Sequence, residues 1–204
     1  MKRLLSFAVM SAMALALFAV SVPLSGGEKK QEEKGTSQPV EQALKKIFPD
    51  LVGKPEAEAI FIDDAGLVAK CDYEKDKGCK AYPVKNKSGL KGYALAWVSE
   101  EGFKAPVKVL TGITLDGDIV GIEVLEQSET PERGSKITEA EFREQFPKKN
   151  LANTKWSIDK DKKSPGDIKA ISGASFSSKA VTLAVKESLE FFAKYKDAIS
   201  KAQK

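Results

Sequence analysis

The chain reads as an α+β fold, a mainly antiparallel sheet with flanking helices, preceded by one N-terminal membrane helix. Three observations predict this. An uncharged apolar run fills residues 4 to 24 behind Lys2 and Arg3. Between residues 59 and 125, short β-type runs alternate with Gly, Asp and Lys clusters. Helical apolar spacing appears before these runs and again near the C-terminus. The order helix, strands, helix, strand, helix is the α+β pattern.

The N-terminal run is dominated by Leu, Ala, Val, Phe and Met. At roughly 20 residues it is long enough to cross about 30 Å of hydrocarbon as one helix. Ala19 and Ser21 also offer the small residues that a signal peptidase reads, so retention as an anchor and removal as a signal both fit. In either case the basic residues precede the run, which places everything after Leu24 outside the cytoplasm. The expected address is the cytoplasmic membrane, single-pass, with the soluble domain on the periplasmic or extracytoplasmic side. Residues 25 to 38, SGGEKKQEEKGTSQ, carry no large apolar side chain and read as a flexible linker. Residues 39 to 204 remain for one domain, a length that can bury a real core.

Within that domain, Val40, Ala43, Leu44, Ile47 and Phe48 recur at helical spacing until Pro49-Asp50. Strands are expected at AIFI (59–62), AYPV (81–84) and YALAWV (93–98). VKVLTGITL (107–115) and DIVGIEVL (118–125) flank Asp116-Gly117, which predicts a long hairpin closed by a two-residue turn. Thr138 and Glu141 form a capping-box pattern ahead of Phe142 and Phe146, predicting a second short helix ended by Pro147. Val181, Val185, Leu189, Phe192 and Ile199 make one apolar stripe on a final helix from about Ser177 to Ser200, suited to covering the sheet.

Composition excludes much chemistry. The chain has no histidine and two cysteines, Cys71 and Cys79, with no CxxC or CxxCH arrangement. A Ser-His-Asp triad, a CxxCH haem and a four-cysteine iron–sulfur cluster are therefore ruled out within it, and typical zinc sites go with them. Outside the cytoplasm, the two cysteines most simply form a disulfide closing the loop CDYEKDKGC. The other reading, a redox-active pair, lacks the close spacing that tunes such thiols. A net charge of +4 with Lys and Glu interspersed gives no basic stripe or aromatic ladder for nucleic acid.

Two stretches suit a ligand. IKAISGASFSSKAV, residues 168 to 181, runs into the last helix. Helix first-turn amides and the positive dipole end favour a phosphate there, Ser172, Ser175, Ser177 and Ser178 add hydroxyls, and Gly173 permits close approach. The plainer alternative is that Ser177 or Ser178 caps the helix and the rest is a turn. The second stretch, EQSETPERGSKI (126–137), follows the hairpin; Pro131 and Gly134 fix a turn, and Glu129, Thr130 and Ser135 supply polar groups. It is either an exposed connection or one wall of a cleft. Trp97 suits a core position better than a ligand-stacking face, Trp156 fits either role, and Lys179 suits a solvated position better than a phosphate contact.

Taken together, ALKKIFPD, GYALAWV, VKVLTGITLDGDIVGIEVLEQSETPERGSKI, FREQF and DIKAISGASFSSKAV resemble the FMN-binding domain family over residues 40 to about 195. Within it the likeness is to the G subunits of Rnf electron-transport complexes, related to the C subunits of sodium-pumping NADH:quinone reductases. The resemblance implies an FMN cofactor joined through its phosphate to Ser175 by a flavin transferase that reads D-x-x-[ST]-G-A-[TS]. Ser172, Gly173 and Ala174 match that pattern, and Glu129, Thr130, Pro131 and Gly134 match a flavin-contacting turn usually written ETPGLG. It also implies electron relay without a catalytic acid or base, no metal, and the other membrane subunits of an ion-translocating oxidoreductase as partners. Three features depart from the pattern: Lys169 stands where an aspartate is usual, with Asp167 two residues early; Ser175 replaces the commoner Thr; and Glu132-Arg133 replace Gly-Leu. The competing expectations are a binding module that keeps the fold without flavin, and a flavin carrier serving another extracytoplasmic reductase.

Overall fold

Residues 35–62, 68–70 and 79–202 are described by a computed structural model of the chain. The apolar run at 4–24, residues 25–34 of the linker expected over 25–38 and the Cys71–Cys79 pairing lie outside the described residues; within the rest of that stretch, Thr36 and Ser37 pair as a strand with Gln127 and Glu126 instead of forming part of a linker. Among the described residues, no helix is long and apolar enough to cross a membrane.

Strand periodicity translates into one fully antiparallel sheet in the order β1-β7-β6-β5-β4-β2-β3. Its members are β1 (Thr36–Ser37), β2 (Ile60–Ile62), β3 (Val68–Lys70), β4 (Cys79–Asn86), β5 (Gly89–Ser99), β6 (Val107–Thr114) and β7 (Ile119–Gln127). The β6–β7 hairpin is present, but its turn is wider than Asp116-Gly117 alone predicts. Thr114 N–H donates to Asp118 O at 2.9 Å and Gly117 N–H to Thr114 O at 3.1 Å, so Leu115, Asp116 and Gly117 form a three-residue loop. Gly117 has φ +98° while Asp116 stays in the ordinary region; one left-handed residue suits that loop, whereas a two-residue turn of type I′ needs two.

Both faces of the sheet are covered. On one face lies α1 (Val40–Ile47), with Ala43, Leu44, Ile47 and the following Phe48 buried against Leu110, Leu125, Tyr82 and Ala94. Gly112 of β6 makes this approach possible: a Cβ there would fall 2.5 Å from Ile47 Cγ2 and 2.7 Å from Phe48 Cε2. On the other face lies α3 (Ser175–Ala202), which buries Val181, Val185, Leu189, Phe192 and Ile199 as its stripe requires. Ala180 and Ala184 on the same face are fully buried, and their small side chains let the helix sit close to β5 and β6.

The second helix, α2 (Ala140–Arg143), is a single turn without the expected capping box. Thr138 ends a 3-10 turn (Gly134–Thr138), and its hydroxyl donates to Ser135 O at 2.8 Å rather than capping the next helix. Phe142 and Phe146 are buried as the spacing requires. Arg143 pairs with Glu123 of β7, a residue 4% exposed in the side chain, which also accepts from Gln38 Nε2 at 2.9 Å. One buried carboxylate thus ties β7 to α2 and to the segment leading into α1.

Between α2 and α3 the expected strand is reduced to a single parallel bridge, Ile158 to Ile168. Polar side chains hold this connection instead. Trp156 donates its indole N–H to Asn150 O at 3.1 Å, and Asn150 Nδ2 donates to Asp118 at 2.6 Å. The amides of Lys163 and Ser164 donate to Asp161 and hold its carboxyl below the usual aspartate range.

Candidate functional site

The loop before α3 is a turn with a glycine where one is needed. Ala174 N–H donates to Ile171 O at 3.0 Å, and Gly173 at the third position has φ +75°, the combination of a type II turn. No atom lies within 4 Å of where a Gly173 Cβ would be, so backbone conformation rather than space selects the glycine.

The cap expected from Ser177 or Ser178 is absent. The residue before the first helical position is Ala174, whose side chain cannot cap. Ser178 turns back on the loop, accepting from Ile171 N–H at 3.0 Å and donating to Ala174 O at 2.9 Å. Ser177 points into the protein and donates to Glu129. The first intrahelical bond is Ser178 N–H to Ala174 O at 3.0 Å, which leaves the amides of Ser175, Phe176 and Ser177 without an intrahelical acceptor. The Ser175 hydroxyl, half-buried, makes no hydrogen bond among the described residues.

The 130–133 turn has the same shape. Arg133 N–H donates to Thr130 O at 3.3 Å, Pro131 occupies the second position, and Glu132 takes the left-handed third with φ +58°. Glu132 therefore adopts a conformation natural to the glycine it replaces in the resembled motif.

Glu129 joins the two turns. Its side chain is buried, with one oxygen accepting from Ser177 and the other from Lys104 N–H at 3.1 Å, while its own N–H donates to Gln127 Oε1 at 2.7 Å. Gly134 fits between: a Cβ there would lie 2.7 Å from Ser177 Oγ and 2.8 Å from Glu129 Cβ. The contact needs a glycine for space alone. Three segments are thereby fixed together: the β5–β6 connection, the turn after β7 and the start of α3.

Where they meet is a cleft of about 300 Å³ lined by Thr130, Arg133, Gly134, Phe103 and the stretch Gly173 to Ser177. The structure thus brings Ser175, Gly173, Ala174, Thr130 and Gly134 to one place, although they come from two distant stretches of sequence. Glu129 and Pro131 support this cleft without lining it. Ser172 faces a separate, larger cleft of about 590 Å³, together with Lys169, Glu132, Lys136 and Asp159.

The auxiliary candidates fall elsewhere. Lys169 is held by its backbone, which exchanges hydrogen bonds with the Gln145 amide at 2.8 and 3.2 Å. Asp159, not Asp167, is the carboxylate that reaches this strand of the loop, accepting from Ala170 N–H at 2.8 Å. Lys179 pairs with Glu101 at 3.0 Å. Trp97 donates to Glu187 at 2.8 Å and packs on Phe191; Glu187 lies three helical turns, about 18 Å along the axis, beyond Ser175. Sequence reasoning missed Arg133 and the Phe103–Phe176 pair as cleft residues. Arg133 has no ion pair among the described residues and is the cation in the cleft. The signal was present: it occupies a position where the resembled motif carries leucine.

These features fit a flavin nucleotide. Three open amides, a helix N-terminus and an uncommitted guanidinium suit a phosphate, and two aromatic rings suit a flat apolar body. At about 300 Å³ the cleft is at the small end for ligand sites, so it would enclose part of such a molecule and leave the rest exposed.

Residues 102–190 match the FMN-binding domain family. The G subunit of an ion-translocating oxidoreductase complex from Methanosarcina acetivorans is 29% identical over 191 residues, covering 93% of either chain. The G subunit of a Na(+)-translocating ferredoxin:NAD(+) oxidoreductase complex from Acetobacterium woodii is 28% identical over 189 residues, covering 90% of this chain and 87% of that one. Among solved structures, the C subunit of the Na(+)-translocating NADH-quinone reductase from Parabacteroides distasonis aligns with a TM-score of 0.54 over 74% of this chain and 81% of that chain. At 19% identity this is a likeness of fold.

Proposed function

We propose, from the premise that residues 102–190 are a domain of the FMN-binding family, that the chain is the flavin-carrying electron-transfer subunit of an Rnf-type ion-translocating oxidoreductase complex. FMN is its cofactor, attached by a phosphoester to Ser175. The observation that carries this reading is the placement of Ser175: an uncommitted hydroxyl on the first turn of α3, in the cleft shared with the 130–134 turn.

FMN, when bound, would supply the redox chemistry of the electron relay. The chain's own residues hold and orient it. The amides of Ser175 to Ser177 and the Arg133 guanidinium would neutralise the single negative charge of a phosphodiester, a charge-assisted arrangement. Glu129 keeps the two turns in register. Attachment needs an activated donor, by class a flavin pyrophosphate, and a flavin transferase. A P–O bond to Ser175 Oγ forms, the pyrophosphate P–O bond breaks with departure of the nucleotide half, and the hydroxyl proton passes to base or water; no electrons change hands. On the extracytoplasmic side a covalent tether keeps the cofactor from being lost by diffusion. The other subunits of the complex are the electron donor and acceptor, and the segment at 4–24 is the membrane anchor in this reading.

The test is expression with the cognate flavin transferase, followed by denaturing electrophoresis read for flavin fluorescence and by intact mass. A fluorescent band of raised mass that Ser175→Ala abolishes is the expected result. A dark band at the unmodified mass, from a transferase active on another substrate, removes covalent attachment.

A further inference from the structure

Phe103 and Phe176 belong to neither core. At 63% and 62% they are the most exposed large apolar side chains among the described residues, and both line the cleft that contains Ser175. Their ring centroids are 6.1 Å apart and the planes are tilted by 38°.

Neither exposure is an accident of a loose segment. Phe176 follows Ser175 on the first turn of α3, and because Ser177 and Ser178 are anchored inward, it has only the outward direction left. Phe103 sits in the β5–β6 connection, which Lys104 N–H ties to Glu129. Gly102 keeps that connection tight: a Cβ there would lie 1.9 Å from Ala105 O and 3.1 Å from Glu129 Oε1. The same buried carboxylate therefore positions both rings and the turn that carries Arg133.

We propose that Phe103 and Phe176 form the seat of the flavin ring, covering one side of the isoalloxazine beside Ser175. This rests on the FMN reading above. Aromatic side chains attract a flat ring system through its face and edge. The cleft is polar and cationic at Arg133 and the helix amides, and apolar at the two phenyl groups, matching the phosphate and ring ends of one FMN. A short tether raises the local concentration of the ring to the order of millimolar, so even a weak seat is filled. An open seat leaves the opposite side of the ring free for electron exchange with a partner. The rival use of the same rings is docking of a protein partner directly.

Two readouts separate these outcomes on the full chain. In the flavinylated protein, collisional quenching by iodide reports how exposed the ring is; the Phe103→Ser/Phe176→Ser protein should be quenched several-fold faster than wild type, approaching free FMN. In the Ser175→Ala protein, which cannot be flavinylated at Ser175, FMN titration followed by fluorescence anisotropy should weaken about tenfold when both phenylalanines are replaced. Thermal unfolding should be little changed, because both side chains are exposed. Iodide access unchanged by the double substitution overturns the seat, and lost electron transfer with unchanged access assigns the rings to partner docking instead. A chain that is never flavinylated but shows the weakened titration keeps the seat and overturns attachment. One that is neither flavinylated nor binds FMN overturns both.

Discussion

Glu132 is the residue whose chemistry disagrees with its backbone. At φ +58° it holds a left-handed conformation that costs a residue with a Cβ about 1–2 kcal/mol. Part of that is offset because glycine would lose more freedom on folding. Glu132→Gly should therefore stabilise the protein by about 0.5–1 kcal/mol, seen as a rise of roughly 1–4 °C in the thermal midpoint. A fall in the midpoint would mean that the Glu132 side chain makes a contribution larger than the strain. Ser177 shows the opposite balance. Its hydroxyl satisfies the buried Glu129 carboxylate, and Ser177→Ala removes one of the two groups bonded to that charge. Hydrogen bonds to charged groups contribute about 1.5–3 kcal/mol, so urea unfolding should show a loss of that size. A flavin-attachment yield that falls with it would report that the knot also sets the position of Ser175.

Among the elements, α3 carries both the core and the site. Its inward stripe buries Leu189 at 2% exposure against the sheet, and Leu189→Ala should cost about 2–5 kcal/mol in chemical denaturation. The substitution lies more than three turns from Ser175, so flavinylation at low temperature should be retained; loss of both would mean that the first turn is not held independently by Ser177 and Ser178. The hairpin, the first helix and the stripe of α3 were legible because each is a local periodic pattern with a strong apolar signal. Other local signals were overridden. Thr138 and Glu141 have capping-box spacing, but the chain there makes a 3-10 turn, and Thr138 is consumed by Ser135. Asp116-Gly117 signalled a hairpin without fixing loop width, because Thr114 and Asp118 close the ladder one residue earlier than a two-residue turn requires.

At the scale of the whole molecule, the asymmetry of charge around residues 4–24 makes a prediction about topology. In cells, the full chain should fractionate with membranes, resist carbonate extraction, and be digested by protease added to the extracytoplasmic side. Release of the chain in soluble form would identify the run as a removed signal. The sequence by itself determined the α+β class of the described residues and the exclusion of histidine-based and multi-cysteine chemistry, and it marked two stretches as candidates for a ligand. These depend on composition and on periodicities of a few residues, which survive in one dimension. Only the tertiary structure decided that Ser175 is free while Ser177 and Ser178 are engaged, that Arg133 rather than Lys169 is the cation beside it, and that Phe103 joins Phe176. The engagement of Ser177 and the meeting of Phe103 with Phe176 depend on Glu129, which is bonded at once to segments far apart in the chain, and no local pattern encodes which distant donors a buried carboxylate will find.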